Sequence, residues 1–146
     1  MKKILFLLLG LILLTSCSKE KSYSCTMTLE GDNEIENREY IVELENDKIV
    51  KYTLINTYKI SDNSYYKEKC NELKNKSNNN EYISTNIECD DKEVTIKSKV
   101  EYDFSKVENN GEIKINNLSS YISDDFKFNI DEYLKQRKIE KYNCKQ

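Results

Sequence analysis

The chain has 146 residues, with 23 Lys and Arg against 26 Asp and Glu, a formal net charge of −3, and no His, Trp or Pro. The missing histidine excludes every His-based catalytic triad or dyad and every His-containing metal site. The acidic balance speaks against a nucleic-acid partner, which needs a basic face. Charged residues make up 34% of the chain and the mean hydropathy is −0.78, a balance that leans toward disorder. Eleven Tyr and four Phe, set in periodic patterns with Ile and Val, argue instead for a folded domain with a very polar skin.

The N-terminus carries an address. Lys2 and Lys3 precede an apolar run from Ile4 to Leu14, followed by Thr15, Ser16 and Cys17. That run falls well short of the ~20 apolar residues a bilayer-spanning helix needs, so it reads as an export signal. Leu14-Thr15-Ser16-Cys17 resembles the lipobox of bacterial lipoproteins. The resemblance implies cleavage before Cys17, lipid on the Cys17 thiol, and tethering at the extracytoplasmic face of the cell membrane. Residues 1–16 are then the signal peptide, 17–24 the lipidated cysteine with a short polar tether, and 25–146 a single extracytoplasmic domain. Two acyl chains on one cysteine suffice for stable anchoring. The signal holds two Lys and no acid, so the mature chain carries −5, and lipid rather than charge must do the anchoring.

Within the domain, Cys25, Met27 and Leu29 alternate with polar residues, which predicts a half-buried strand ending before the Glu30-Gly31-Asp32-Asn33 turn cluster. Tyr40, Val42 and Leu44 alternate in a second strand and Val50, Tyr52 and Leu54 in a third. A three-residue loop Asn46-Asp47-Lys48 keeps all six on one face, pairing Leu44 with Val50 and Val42 with Tyr52. Ser61-Asp62 offers an N-cap for an amphipathic helix carrying Tyr66, Cys70 and Leu73 at helical spacing, stopped by the polar Ser77 to Asn80 stretch. Ile83, Thr85, Ile87 and Cys89 share one face of a strand. Val94, Ile96, Ser98, Val100 and Tyr102 share one face of the next. An Asp90-Asp91 turn pairs Ile87 with Val94. Residues 103–128 are ambiguous, with Ile113 and Ile115 marking a possible short strand. Asn129 caps a final helix with Ile130, Tyr133, Leu134 and Arg137 along one side, acids in its first turn and bases later. The sum is an α+β fold: an antiparallel sheet of about five strands with two helices packed on one face.

With Cys17 lipidated, four cysteines are left, Cys25, Cys70, Cys89 and Cys144. An even number in an exported domain reads as two disulfides with three possible connectivities, free buried thiols being the other reading. The preferred pairing is Cys25–Cys144, which pins the C-terminus to the first strand, and Cys70–Cys89, which staples a helix to the following strand. No C-x-x-C pair is present, which speaks against a zinc or thioredoxin-like site.

Candidate chemistry is sparse. The acid pairs Asp90-Asp91, Asp124-Asp125 and Asp131-Glu132 fall in turns or helix starts, where acids are expected without any catalytic role. Asp90-Asp91 lacks the order and closing Glu of a calcium loop. Gly10, Gly31 and Gly111 are the only glycines, too few for a phosphate-binding loop, and no serine sits in a nucleophile-elbow context. Tyr40, Tyr52, Tyr66 and Tyr102 are expected in the core. Tyr58, Tyr65, Tyr82 and Tyr121 are less clearly buried and suit recognition of a sugar or peptide.

The lipobox, Cys25-Thr26-Met27-Thr28-Leu29, the polar hairpin from Glu45 to Val50, the helix around Cys70, Val100-Glu101-Tyr102-Asp103-Phe104-Ser105-Lys106, and Cys144-Lys145 after a helix together resemble the YehR-like family of small bacterial lipoproteins. The chain departs from it in lacking a glycine in the first hairpin and before the last cysteine. The resemblance implies an exported α+β lipoprotein and transfers no catalytic residue. The expectation is therefore a non-enzymatic, monomeric, lipid-anchored domain without cofactor or bound metal, binding an unidentified ligand or envelope protein through the sheet face opposite the helices or through Tyr-bearing loops. The alternatives are an accessory interaction lipoprotein with no small ligand, and an envelope hydrolase using paired acids.

Overall fold

The computed structural model describes residues 19–107, 118–123 and 125–146. They form an α+β fold with strands β1 (Glu20–Glu30), β2 (Glu34–Glu45), β3 (Lys48–Ile60), β4 (Ile83–Asp90), β5 (Thr95–Asp103) and β6 (Asn143–Lys145), and helices α1 (Asn63–Lys76) and α2 (Ile130–Ile139). The sheet order is β4-β5-β3-β2-β1-β6, antiparallel throughout. The sheet has six strands among the described residues rather than five. The sixth is the short tail segment 143–145, which pairs with β1 and sets Cys144 opposite Cys25. Its three residues are too few for alternation to mark them as a strand.

β1 starts at Glu20, inside the stretch expected to be tether, and Tyr23 belongs to the core. Ser18 to Ser24 hides this because Tyr23 is its one large apolar residue. The strand is held by eleven pairings with β2, from Glu20↔Glu45 to Glu30↔Ile35.

The β2–β3 hairpin corrects the expected three-residue loop. Asn46 and Asp47 form a two-residue turn, both with positive φ (52° and 64°), and Leu44 lies opposite Ile49. The register then slips at Glu43/Leu44, so that Glu43 faces Lys51 and Val42 faces Tyr52. A β-bulge at Val50 absorbs the extra residue. The primed turn matches the twist of the flanking strands, and the bulge restores the side-chain phase a two-residue loop alone would break. Ile49, not Val50, is therefore the core residue.

The β4–β5 turn, by contrast, is longer than expected. Asp90 pairs with Thr95 and Ile87 with Ser98, leaving Asp91 to Val94 as a four-residue loop. The shift from the expected pairing is even, so each side chain keeps its face. Asp90 Oδ1 accepts from the backbone N–H groups of Lys92 and Glu93, which favours the wider turn. Its cost is Val94, a β-branched residue held at φ 52°, whose carbonyl accepts from Ile60 N–H at 3.0 Å.

α1 begins where expected: Asp62 Oδ1 accepts from Tyr65 N–H at 2.7 Å. α2 is capped by Asn129 Oδ1, which accepts from Glu132 N–H. Both helices pack on the same sheet face, over two separate clusters. Under α2 and the residues before it lie Tyr23, Cys25, Val42, Leu44, Ile49, Tyr52, Phe104, Leu118, Phe128, Tyr133 and Tyr142. Under α1 lie Tyr58, Ile60 and Ile96, packed against Tyr66 and Cys70 of the helix. Residues 1–18, with Cys17 and the signal, lie outside the described residues. So do Asp124 and the possible strand at Ile113 and Ile115.

Candidate functional site

The two clusters are spaced along β3. Tyr52 belongs to one and Tyr58 to the other, a separation of roughly 20 Å at strand rise. A helix with its side chains is ~10 Å across, so neither α1 nor α2 reaches across about half of that span. The register names the residues there. Leu54 faces Tyr40 and Val100, Asn56 faces Arg38 and Ser98, and Glu36 faces Tyr58. Leu54 and Val100 sit at the centre of the sheet, yet belong to neither cluster and are only half-buried. This stretch of the helix-bearing face between the two clusters, called the trough below, is apolar at Leu54 and Val100 and polar toward β2.

The polar end is built around an ion pair. Arg38 Nε donates to Glu36 Oε1 at 2.8 Å and Nη2 to Oε2 at 2.9 Å, a bidentate fork between residues on one side of the same strand. Glu36 is buried at 8% exposure. Burial works to raise its carboxyl, but the Arg38 guanidinium, with the Tyr58 hydroxyl and Lys69, outweighs this and holds it below the ordinary value. Hydrogen bonding to Glu36 raises Arg38 in turn. The Arg38 side chain stays 35% exposed. Beside it, Asn56 Nδ2 donates to Tyr58 Oη at 3.1 Å, while the buried Asn56 Oδ1 has no partner among the described residues.

Each wall carries a cation laid on aromatic rings. On the α1 side, Lys69 Nζ stands 4.1 Å from the centre of the Tyr58 ring and is paired with Glu34. On the α2 side, Arg137 is buried with its guanidinium carbon 4.7 Å from the Tyr40 ring centre, 5.1 Å from Tyr133 and 5.5 Å from Tyr142. Arg137 Nη1 donates to Glu140 Oε2 at 2.7 Å, and its Nε has no partner among the described residues. Burial, then the neighbouring Tyr142, pushes the Tyr40 hydroxyl up to about 12.

The opposite face differs in kind. Ser24 donates to Glu39 at 2.7 Å, Thr28 to Asn37 at 2.7 Å, and Lys99 pairs with Glu101 at 2.9 Å. These polar groups satisfy one another in pairs.

The structure joins Cys25 to Cys144 and Cys70 to Cys89. The acid pairs stay dispersed: Asp90 ends β4 and Asp91 opens the β4–β5 turn, while Asp131 and Glu132 lie in the first turn of α2. Among the described residues no group of three Cys, Asp or Glu is placed to hold a metal ion, and no helix is long and apolar enough to cross a membrane. Tyr52 and Tyr66 are core residues, Tyr40 and Tyr102 are half-buried, and Tyr58 is more buried than its neighbours in sequence suggest. Glu36 and Arg38 are absent from the sequence expectations because alternation there starts β2 at Tyr40, and Asn56 because it ends β3 at Leu54. The same period of two carried back from Tyr40 reaches Arg38 and Glu36.

No family model matches the chain, and no curated protein is similar to it. Among solved structures it is similar to an NMR structure of a protein from Streptococcus pneumoniae TIGR4. The two are 9% identical, with a TM-score of 0.54 over 90% of this chain and 88% of that one. That likeness concerns the fold alone.

Proposed function

We propose that this protein is a lipid-anchored extracytoplasmic lipoprotein of the YehR-like kind whose folded domain binds a ligand in the trough between its two helices. The observation that carries the binding reading is the half-buried pair Leu54 and Val100 at the centre of the helix-bearing face. Apolar residues there belong under a helix in an α+β sheet, and here they lie beside a buried acceptor, Asn56 Oδ1, and a part-exposed Arg38. The ligand that fits has an apolar side for Leu54 and Val100, a donor for Asn56, and a carbonyl or carboxylate for Arg38. A short peptide or a cell-wall peptide stem has this chemistry. The reading is non-enzymatic: among the described residues the trough holds no nucleophile–base pair, and the Glu36 carboxylate is neutralised by Arg38.

The lipobox supports the anchored half of the reading, and the disulfides fit an oxidising compartment. The test is a thermal-shift screen of the oxidised domain against peptides, cell-wall fragments, sugars and lipids. A rise in melting temperature that scales with ligand concentration supports binding. Leu54→Thr and Val100→Thr keep strand propensity and remove the apolar floor. They are expected to abolish that rise while the ligand-free protein still melts cooperatively. A rise left intact by both variants places the ligand elsewhere.

A further inference from the structure

We propose that the end of the sheet formed by the β2–β3 turn lies against the lipid surface, so that the molecule stands on this turn and holds its trough sideways above the bilayer. The proposal rests on the reading of Cys17 as the lipid-bearing residue.

Three observations carry it. First, β1 starts at Glu20, so only three residue steps separate Cys17 from a strand paired along its whole length with β2. Fully extended, they span about 10 Å, against the ~25 Å that a seven-residue tether allows. The domain therefore has little freedom to tumble over its anchor. Second, the chain just before β1 is tied to the turn itself. Asn46 N–H donates to Lys19 C=O at 3.4 Å, Lys19 N–H donates to Asn46 Oδ1 at 3.5 Å, and Lys21 Nζ pairs with Asp47 at 3.3 Å. Third, the turn is buttressed and cannot fold aside. Ile49 N–H donates to Phe126 C=O at 3.1 Å, Phe128 N–H donates to Asp47 C=O at 3.0 Å, and Lys48 bridges to Lys127.

This end carries Lys19, Lys21, Lys48 and Lys127 interleaved with Glu20, Glu45, Asp47 and Asp125. Among the described residues the signs balance, so orientation comes from the short covalent reach and is insensitive to lipid charge. With β2 upright, its 12 residues raise the Gly31–Asn33 turn and the start of α1 roughly 40 Å from the bilayer. The trough opens between, α2 below it and α1 above.

The chain contains no tryptophan, so a single introduced Trp reports one position without background. Lys48→Trp marks the proximal turn and Asp32→Trp the distal one. Both sites are exposed, and a cooperative melt checks that each variant folds. The full chain, lipidated in a bacterial host, is reconstituted into phosphatidylcholine vesicles that carry a nitroxide on the headgroup. The expected result is Lys48→Trp emission roughly halved and Asp32→Trp emission unchanged, with or without anionic lipid. Equal quenching at both positions, or stronger quenching of Asp32→Trp, overturns the orientation. A Cys17→Ala control reads the anchor separately. If it still floats with vesicles, the lipidation reading fails and the orientation proposal, which rests on it, falls too.

Discussion

Glu36 and Arg38, two residues apart on one side of β2, satisfy each other through two parallel hydrogen bonds of 2.8 and 2.9 Å. The carboxylate is buried and the guanidinium is part-exposed, so the pair is unequal. Removing the arginine strands a buried charge; removing the acid releases a solvated one.

Arg38→Met is therefore expected to destabilise the fold more than Glu36→Gln. Breaking a fully buried pair from one side costs ~3–5 kcal/mol; the exposure of Arg38 screens this, bringing the loss to about 1–3 kcal/mol. The double variant should recover part of it. The sign with pH follows from Glu36, whose folded value lies below its unfolded one. Its contribution is fully present above the ordinary carboxyl value of about 4.3 and is lost as pH falls through the lowered folded value. The gap between wild type and Arg38→Met in urea midpoint should narrow under acid. A gap that is constant with pH would show that the pair contributes no linkage.

The tyrosines set the alkaline limit. Burial raises Tyr52, Tyr58, Tyr102 and Tyr133, and Tyr40 reaches about 12. A raised folded value leaves stability intact below the unfolded value of about 10. Stability then declines as pH rises from there through the folded values. Phenolate absorbance and far-UV ellipticity followed together from neutral to strong alkali should show a late cooperative step shared by both signals. Smooth ionisation with the ellipticity unchanged would mean that these rings are solvated.

Asp47 occupies a left-handed conformation that glycine adopts without steric cost. Asp47→Gly creates the Asn-Gly pair that two-residue hairpins favour. It also loses a surface ion pair to Lys21 worth ~0–1 kcal/mol. The net expected gain is small, about 0.5 kcal/mol, read as a higher urea midpoint. A clear loss would show that the Lys21 contact matters more than the turn.

The disulfides should contribute unequally. Cys25–Cys144 spans 119 residues of sequence and Cys70–Cys89 spans 19. In the chain-entropy picture these correspond to ~5 and ~3 kcal/mol. Cys25→Ala/Cys144→Ala should therefore lower the melting temperature more than Cys70→Ala/Cys89→Ala. The reverse order would show that the helix-to-strand staple holds a region with too little core of its own.

Local chemistry determined much of this protein. Alternation at Cys25 to Leu29, Tyr40 to Leu44 and Ile96 to Tyr102 marks strands because a side chain every second residue must face the core. Asp62 and Asn129 mark helix starts because their side chains can accept from N–H groups that otherwise lack partners. The lipobox reading rests on the sequence alone. Tertiary structure decided what short range cannot. It recruited 143–145 as an edge strand, since three residues gain strand geometry only from a partner such as β1. It chose a two-residue turn with a bulge at Val50, since only the long β2–β3 ladder reveals the cost of losing phase. It also left Leu54 and Val100 between two clusters. The sequence places both on the buried face, but whether a helix reaches them depends on where α1 and α2 come to rest, and that is fixed by packing at Tyr66 and Tyr133 far along the chain.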